Sequence, residues 1–179
     1  MTLLLYYDAV QQKNPNEFWK NLWARSNRIK KELLLVSKYS SVDGCEYPST
    51  YSEIVGTFSS VQGVPYLKGF NVTHTHLTSH PPSVADYLHE IQSRAAYDTL
   101  YHRVVTTCHI WHYSASSALM KCVNGLIEEC NHTKLAELFS SLSDRLYHAN
   151  KEYIKNGDCS LYIRELKDIG FNVSVFEPS

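Results

Sequence analysis

The spacing of apolar residues along the chain switches between strand-like and helix-like periods, and each switch predicts an element. "TLLLYYDAV" is a short apolar and aromatic run that predicts a buried strand. "NPNEFWKNLWARSNRIKKEL" changes to a helical period. Phe18, Trp19, Leu22, Trp23, Ile29 and Leu33 share one face. Asn14 fits an N-cap, Pro15 the first helical position, and Glu17 can bond back to the cap. The lysines and arginines between the apolar positions make a solvated basic face. "LLLVSKYSS" predicts a second strand. "DGCEYPSTYSE" reads as a loop from its Gly, Pro and Ser content. "EIVGTFSSV" predicts a strand weakened by Gly56, and "GVPYLKG" a turn.

"GFNVTHTHLTSH" returns to a strand pattern, and "HPPS" ends it, because prolines cannot continue a central strand. Ser83 and Asp86 then open a helix in S-x-x-D style. Val84, Leu88, Ile91, Ala95 and Leu100 would form its inner face. "RVVTTCHIWHYS" predicts one strand from its Val, Thr, Ile, Trp and Tyr content. Three helices follow. "SSALMKCVNGLIEECN" is the first, and "CSLYIRELKDIG", ending at Gly170, is the last. Between them runs "HTKLAELFSSLSDRLYHANKEYIKNG", with Leu135, Leu138, Leu142, Leu146 and Ala149 inward and Gly157 past its end. "FNVSVF" closes as a strand. The order β-α-β-β-β-α-β-α-α-α-β predicts an α+β fold, a mainly antiparallel sheet covered on one side by helices, with a helix-rich C-terminal half. With no linker or low-complexity run, residues 1–179 read as a single globular domain.

Composition adds little until histidine is reached. The net charge is −1, so nothing advertises nucleic acid or an anionic membrane. The opening residues carry no basic segment before an apolar core, and no run of roughly 20 apolar residues is present. The five cysteines are odd in number and contain no CxxC pair. The expectation is an intracellular protein, in cytoplasm or nucleus, neither secreted nor membrane-bound. The sequons at Asn71, Asn131 and Asn172 are then accidental. The 13 tyrosines and 9 histidines are the notable excess.

Three of those histidines lie in "GFNVTHTHLTSH". Strand alternation puts Phe70, Val72, His74, His76, Thr78 and His80 on one face, so the imidazoles continue an apolar row. One reading makes His74 and His76 partly buried side chains satisfied by Tyr, Ser or backbone groups. The other makes them neighbouring ligands of one divalent metal, Mg²⁺, Mn²⁺ or Zn²⁺, because residues i and i+2 of a strand can converge on an ion. His80 is disfavoured as a member, since Pro81 limits how far the strand carries it.

In the metal form, "HTH" at His74–His76 resembles the two-histidine strand motif of the HUH-type single-strand endonucleases. That resemblance implies a Mg²⁺ or Mn²⁺ ion on the histidine pair polarising a phosphodiester, and a helix-borne tyrosine as nucleophile. "KEYIKNG" offers Tyr153 for that part. A metal-free variant uses "HLTS" (His76, Thr78) and "HYSA" (His112, Ser114). These H-x-[ST] elements resemble the two-histidine phosphoesterases, which implies one histidine as base, one as acid, and hydroxyls holding the phosphate. A zinc variant adds His80, with Cys108 or His109, to the pair.

The expected function is therefore phosphodiester cleavage in a nucleotide or nucleic acid. His76, His112, Tyr153 and Thr78 are the catalytic candidates, and His74 with His76 the metal ligands. The competing reading is a non-catalytic module, either an aromatic-rich surface for a protein partner or homo-oligomer, or a small-molecule pocket lined by Tyr and His.

Overall fold

The computed structural model describes residues 5–8, 15–42, 45–57, 68–99 and 101–177. Its elements in chain order are β1 (Leu5–Asp8), α1 (Pro15–Ile29), β2 (Leu33–Val42), β3 (Cys45–Val55), β4 (Asn71–Thr75), α2 (Val84–Tyr97), β5 (His102–Val105), β6 (Ile110–Ala115), α3 (Ser117–Glu128), α4 (His132–Asn156), α5 (Cys159–Ile169) and β7 (Phe171–Phe176). The strands form one sheet in the order β1-β3-β2-β4-β5-β6-β7. Every neighbouring pair is antiparallel except β4 and β5, which run parallel with α2 as their crossover. The protein is thus α+β, with a mixed, mainly antiparallel sheet and a helix-rich C-terminal half.

Registers assign the faces. Leu34 pairs with His74, His74 with Val104, and Val104 with Trp111, so these four side chains share one side. On that side Val104, Trp111, Tyr113, Phe171 and Val173 meet Tyr87 and Ile91 of α2, Leu142 and Leu146 of α4, and Tyr162 and Leu166 of α5. On the other side Leu33, Leu35, Val105 and Ile110 meet Phe18, Trp19 and Leu22 of α1. Helices therefore cover both faces, which corrects the one-sided expectation. β4 is closed in on either side: Val72 packs with Leu34, Val36 and Ile54 of neighbouring strands, and Thr73 and Thr75 are buried on the opposite face.

Other boundaries differ from the sequence reading. "DGCEYPSTYSE" supplies most of β3, not a loop, because ten residues of β2 pair along it and override its turn-like composition. "RVVTTCHIWHYS" is two strands. A turn at Thr106–His109 is closed by Thr106, whose N–H donates to the His109 carbonyl and whose hydroxyl accepts the His109 N–H, both at 2.9 Å. The inner face of α2 centres on Tyr87, Glu90, Ile91 and Ser93. Val84, Leu88 and Ala95 are only partly buried against that core. Leu100, Asn14, the side chain of Glu17 and most of "GVPYLKG" lie outside the described residues. The helix over Ser83 and Asp86 starts with the expected capping box, and α4 ends at Gly157 with a left-handed backbone. Among the described residues no helix is long and apolar enough to cross a membrane.

Candidate metal centre

Strand β4 stops at Thr75, and its end is pinned from the α1 side. The Thr75 hydroxyl accepts the Leu33 N–H at 2.9 Å and lies 2.6 Å from the Ser26 hydroxyl, which is itself 2.6 Å from the Lys31 carbonyl. Beyond the strand, the His76 N–H donates to the Val105 carbonyl at 2.9 Å, and the Trp23 indole N–H donates to the His76 carbonyl at 3.0 Å. His76 is therefore fixed as firmly as a strand residue, although regular pairing has ended.

This anchoring brings the imidazoles together. The two Nε2 atoms of His74 and His76 lie 3.1 Å apart. The third member comes from α2. In a parallel β-α-β unit the helix runs back along the sheet, and its first turn lies near the carboxyl end of the first strand. Asp86, in that first turn, places Oδ1 3.2 Å from His74 Nε2 and Oδ2 3.5 Å from His76 Nε2. The three side chains are mostly buried, at 12%, 14% and 18% exposure in chain order. Asp86 is held in turn by Ser83, whose N–H and hydroxyl donate to Oδ2 at 2.6 and 2.8 Å.

Three ligand atoms around an ion with bonds of about 2.1 Å stand about 3.0 Å apart at right angles and about 3.4 Å apart at the tetrahedral angle. The observed separations are of this order: 3.1 Å between the two Nε2 atoms, and 3.2 and 3.5 Å from them to the carboxylate, which presents Oδ1 to His74 and Oδ2 to His76, so that one ligand atom from each residue lies within 4.8 Å of the others. His74, His76 and Asp86 could thus hold a metal ion.

The hydrogen bonding has the same sense. His76 Nδ1–H donates to the His80 carbonyl at 3.4 Å. In the neutral ring this leaves the Nε2 lone pair facing both Asp86 Oδ2 and His74 Nε2, an arrangement that a shared proton or a cation satisfies. Burial opposes charge on His76, but the Asp86 hydrogen bond and the charges of Asp86 and Glu32 outweigh it, so its pKa is raised above 6.5. Burial likewise opposes charge on Asp86, and the charges and hydrogen bonds of His74 and His76 overcome it, holding the carboxyl well below 3.8.

A second carboxylate stands close by. Glu32, just before β2, is buried, and burial raises its pKa above 4.5 against the pull of both imidazoles. The triad opens on a cleft of about 690 Å³ between β4, the start of β2, α2 and the end of α4. Glu32, His80, His89 and Thr78 line it with the triad.

The other sequence candidates lie elsewhere. His112, paired with Arg103, points to the opposite side of the sheet from His74 and stacks on Tyr101 with ring centres 4.0 Å apart. Tyr153 lies in the aromatic core, 5.8 Å from Trp111 and 5.4 Å from Tyr162 between ring centres. Burial and the neighbouring Cys159 and Cys108 push its phenol up to about 12. The structure brings neither His112 nor Tyr153 to the cleft. Thr78 reaches the cleft wall but is exposed. Cys108 and His109 lie at the β5–β6 turn, outside the cleft lining. Sequence reasoning took Asp86 only as a cap and passed over Glu32.

No protein-family model, curated protein or solved structure matches the chain.

Proposed function

We propose that the chain is a divalent-metal protein in which His74, His76 and Asp86 bind one ion beside a cleft that receives a small molecule. The observation that carries this is the convergence of two Nε2 atoms and one carboxylate, with a ligand atom from each residue within 4.8 Å of the others. Two imidazoles and one carboxylate leave positions open for water or substrate, an arrangement that suits catalytic zinc and non-haem iron. Such an ion supplies Lewis acidity toward a bound oxygen and lowers the pKa of bound water. The chain's own part is to fix the ligands through Trp23, Ser26, Thr75 and Ser83.

The phosphodiester version of this reading rests on the same triad. Among the described residues, however, no lysine or arginine lines the cleft to hold a phosphate, so the small-molecule version is the better supported.

Equilibrium dialysis against Zn²⁺ and Mn²⁺ tests the site. One ion per chain is expected for one of these metals, with the affinity lost in the His74→Ala/His76→Ala double variant. At an ion concentration of 100 Kd the gain is about 2.7 kcal/mol, which raises the melting midpoint by about 5–10 °C in a chain of this size. Equal ion binding by wild type and double variant would sink the reading.

A further inference from the structure

We infer that the cleft beside the triad takes an uncharged carbonyl compound, an amide or ester with an apolar body, in preference to a phosphate ester. The inference rests on the metal reading only in taking the ion as one wall of the cleft; the remaining walls are argued independently.

Size comes first. About 690 Å³ lies within the range of clefts that enclose a small organic molecule. The walls are mainly apolar: Leu34 from β2, Leu77 and Pro81 after β4, Leu88 from α2 and Ile154 from α4. The uncharged polar groups include two carboxamides, Gln92 and Asn150, which can donate to a carbonyl and accept from an amide N–H.

Charge decides the class. The carboxylates in the described lining are Glu32 and Asp86, and no lysine or arginine stands opposite them. The nearest arginine along α2, Arg94, is directed to Glu90 at 3.4 Å. With a dication bound the two carboxylates balance its charge, and without one they leave the cleft anionic, so neither state favours a phosphate. A phosphate entering it would lose its hydration and gain no second cation, whereas phosphate sites normally add Arg, Lys or a helix N-terminus. Among the described residues the helix start at the cleft is that of α2, already occupied by the Asp86 carboxylate and the Ser83 hydroxyl of its own capping box. An uncharged carbonyl oxygen carries no such desolvation cost, and its apolar body gains by contact with the leucines and Ile154.

Ligand-observed NMR titrations on protein dialysed against zinc test the inference, with bound zinc measured first. Benzohydroxamic acid, acetohydroxamic acid, benzamide and thymidine 5′-monophosphate are the probes. Benzohydroxamic acid should bind at least tenfold tighter than acetohydroxamic acid, because only the former carries a body for the apolar walls. Benzamide should bind tighter than thymidine 5′-monophosphate, with or without zinc. Ile154→Arg, at a side chain 58% exposed and so safe for folding, should reverse that order by supplying the missing cation. Zinc absent from wild type with benzamide still preferred would overturn the metal reading and leave the substrate class standing. Thymidine 5′-monophosphate binding as tightly as benzamide, or equal binding of the two hydroxamic acids, would overturn the substrate class.

Discussion

Glu90 offers the sharpest test of the packing behind the site. It lies on α2, fully buried, with Oε2 accepting the Ala115 N–H at 2.8 Å and Oε1 3.4 Å from Arg94 Nη1. Burial raises the carboxyl to about 7 from 4.5, and the bonds from Ala115 and Arg94 recover only part of the cost. The unfolded chain therefore releases this proton near 4.5 and the folded chain only near 7. The group's contribution is fully present below 4.5 and is lost as pH rises to about 7, after which the curve is flat. At about 1.4 kcal/mol per pH unit, the loss across this window is about 3 kcal/mol.

Glu90→Gln keeps an acceptor for Ala115 N–H and removes the titration. It gives up the contact with Arg94, whose side chain is 28% exposed, and sets an amide donor against a guanidinium donor there. Those losses together come to about 1–2 kcal/mol. The variant should thus be less stable than wild type at pH 4 and more stable at pH 8 by about 1–2 kcal/mol. Urea melts of both proteins at half-unit intervals measure this, and the difference between the two curves cancels every other titrating group. A difference that stays constant from pH 4 to pH 8 would refute the placement of an ionisable carboxyl in this core.

Other consequences follow from the pinned end of β4 and from the triad. Thr75→Val leaves the Leu33 N–H and the Ser26 hydroxyl without their buried partner, and should cost about 1–3 kcal/mol in urea unfolding. Trp23→Phe leaves the His76 carbonyl without its donor and should weaken zinc binding in equilibrium dialysis about tenfold, with a stability loss of about 1–2 kcal/mol; unchanged affinity would mean that this bond does not position the ligand. Because zinc must displace the proton from His76, whose pKa is raised above 6.5, affinity should fall by more than about fourfold from pH 8 to pH 6 in chelator competition. Tyr153→Phe should leave zinc and benzamide binding unchanged, since the ring packs on Trp111 and Tyr162; a large loss would return Tyr153 to the site.

Elements were legible where local signals and packing agreed. The period of α4, the capping box of α2 and the alternation of β7 each carried their own boundaries, and each stands. The reading failed where a partner strand decided the outcome. Residues 45–53 carry turn-like composition yet run as a strand, because β2 and β1 pair along both edges. Faces were harder still. Thr73 and Thr75, on the face of β4 opposite His74, are fully buried although polar, and the Thr75 hydroxyl serves as an internal staple.

The site follows the same division. Alternation placed His74 and His76 on one side, and the structure closes their Nε2 atoms to 3.1 Å although the strand ends between them. Asp86 was read for its local role alone, because Ser83 and Asp86 satisfy the helix start by themselves. What turns the cap toward the imidazoles is the parallel crossover from β4 to β5, a non-local fact that the antiparallel expectation hid. Once β4-α2-β5 is taken as a parallel unit, an acid in the first turn of α2 belongs near the last residues of β4. The two roles then support each other. Donation from Ser83 fixes the carboxylate's orientation, and the fixed carboxylate sets the separation of the imidazoles. An acid at the third helical position that only completed a capping box could be exchanged for Asn with a modest loss of stability; if Asp86 is also a ligand, Asp86→Asn should weaken zinc binding in equilibrium dialysis, and unchanged affinity would leave it a cap alone.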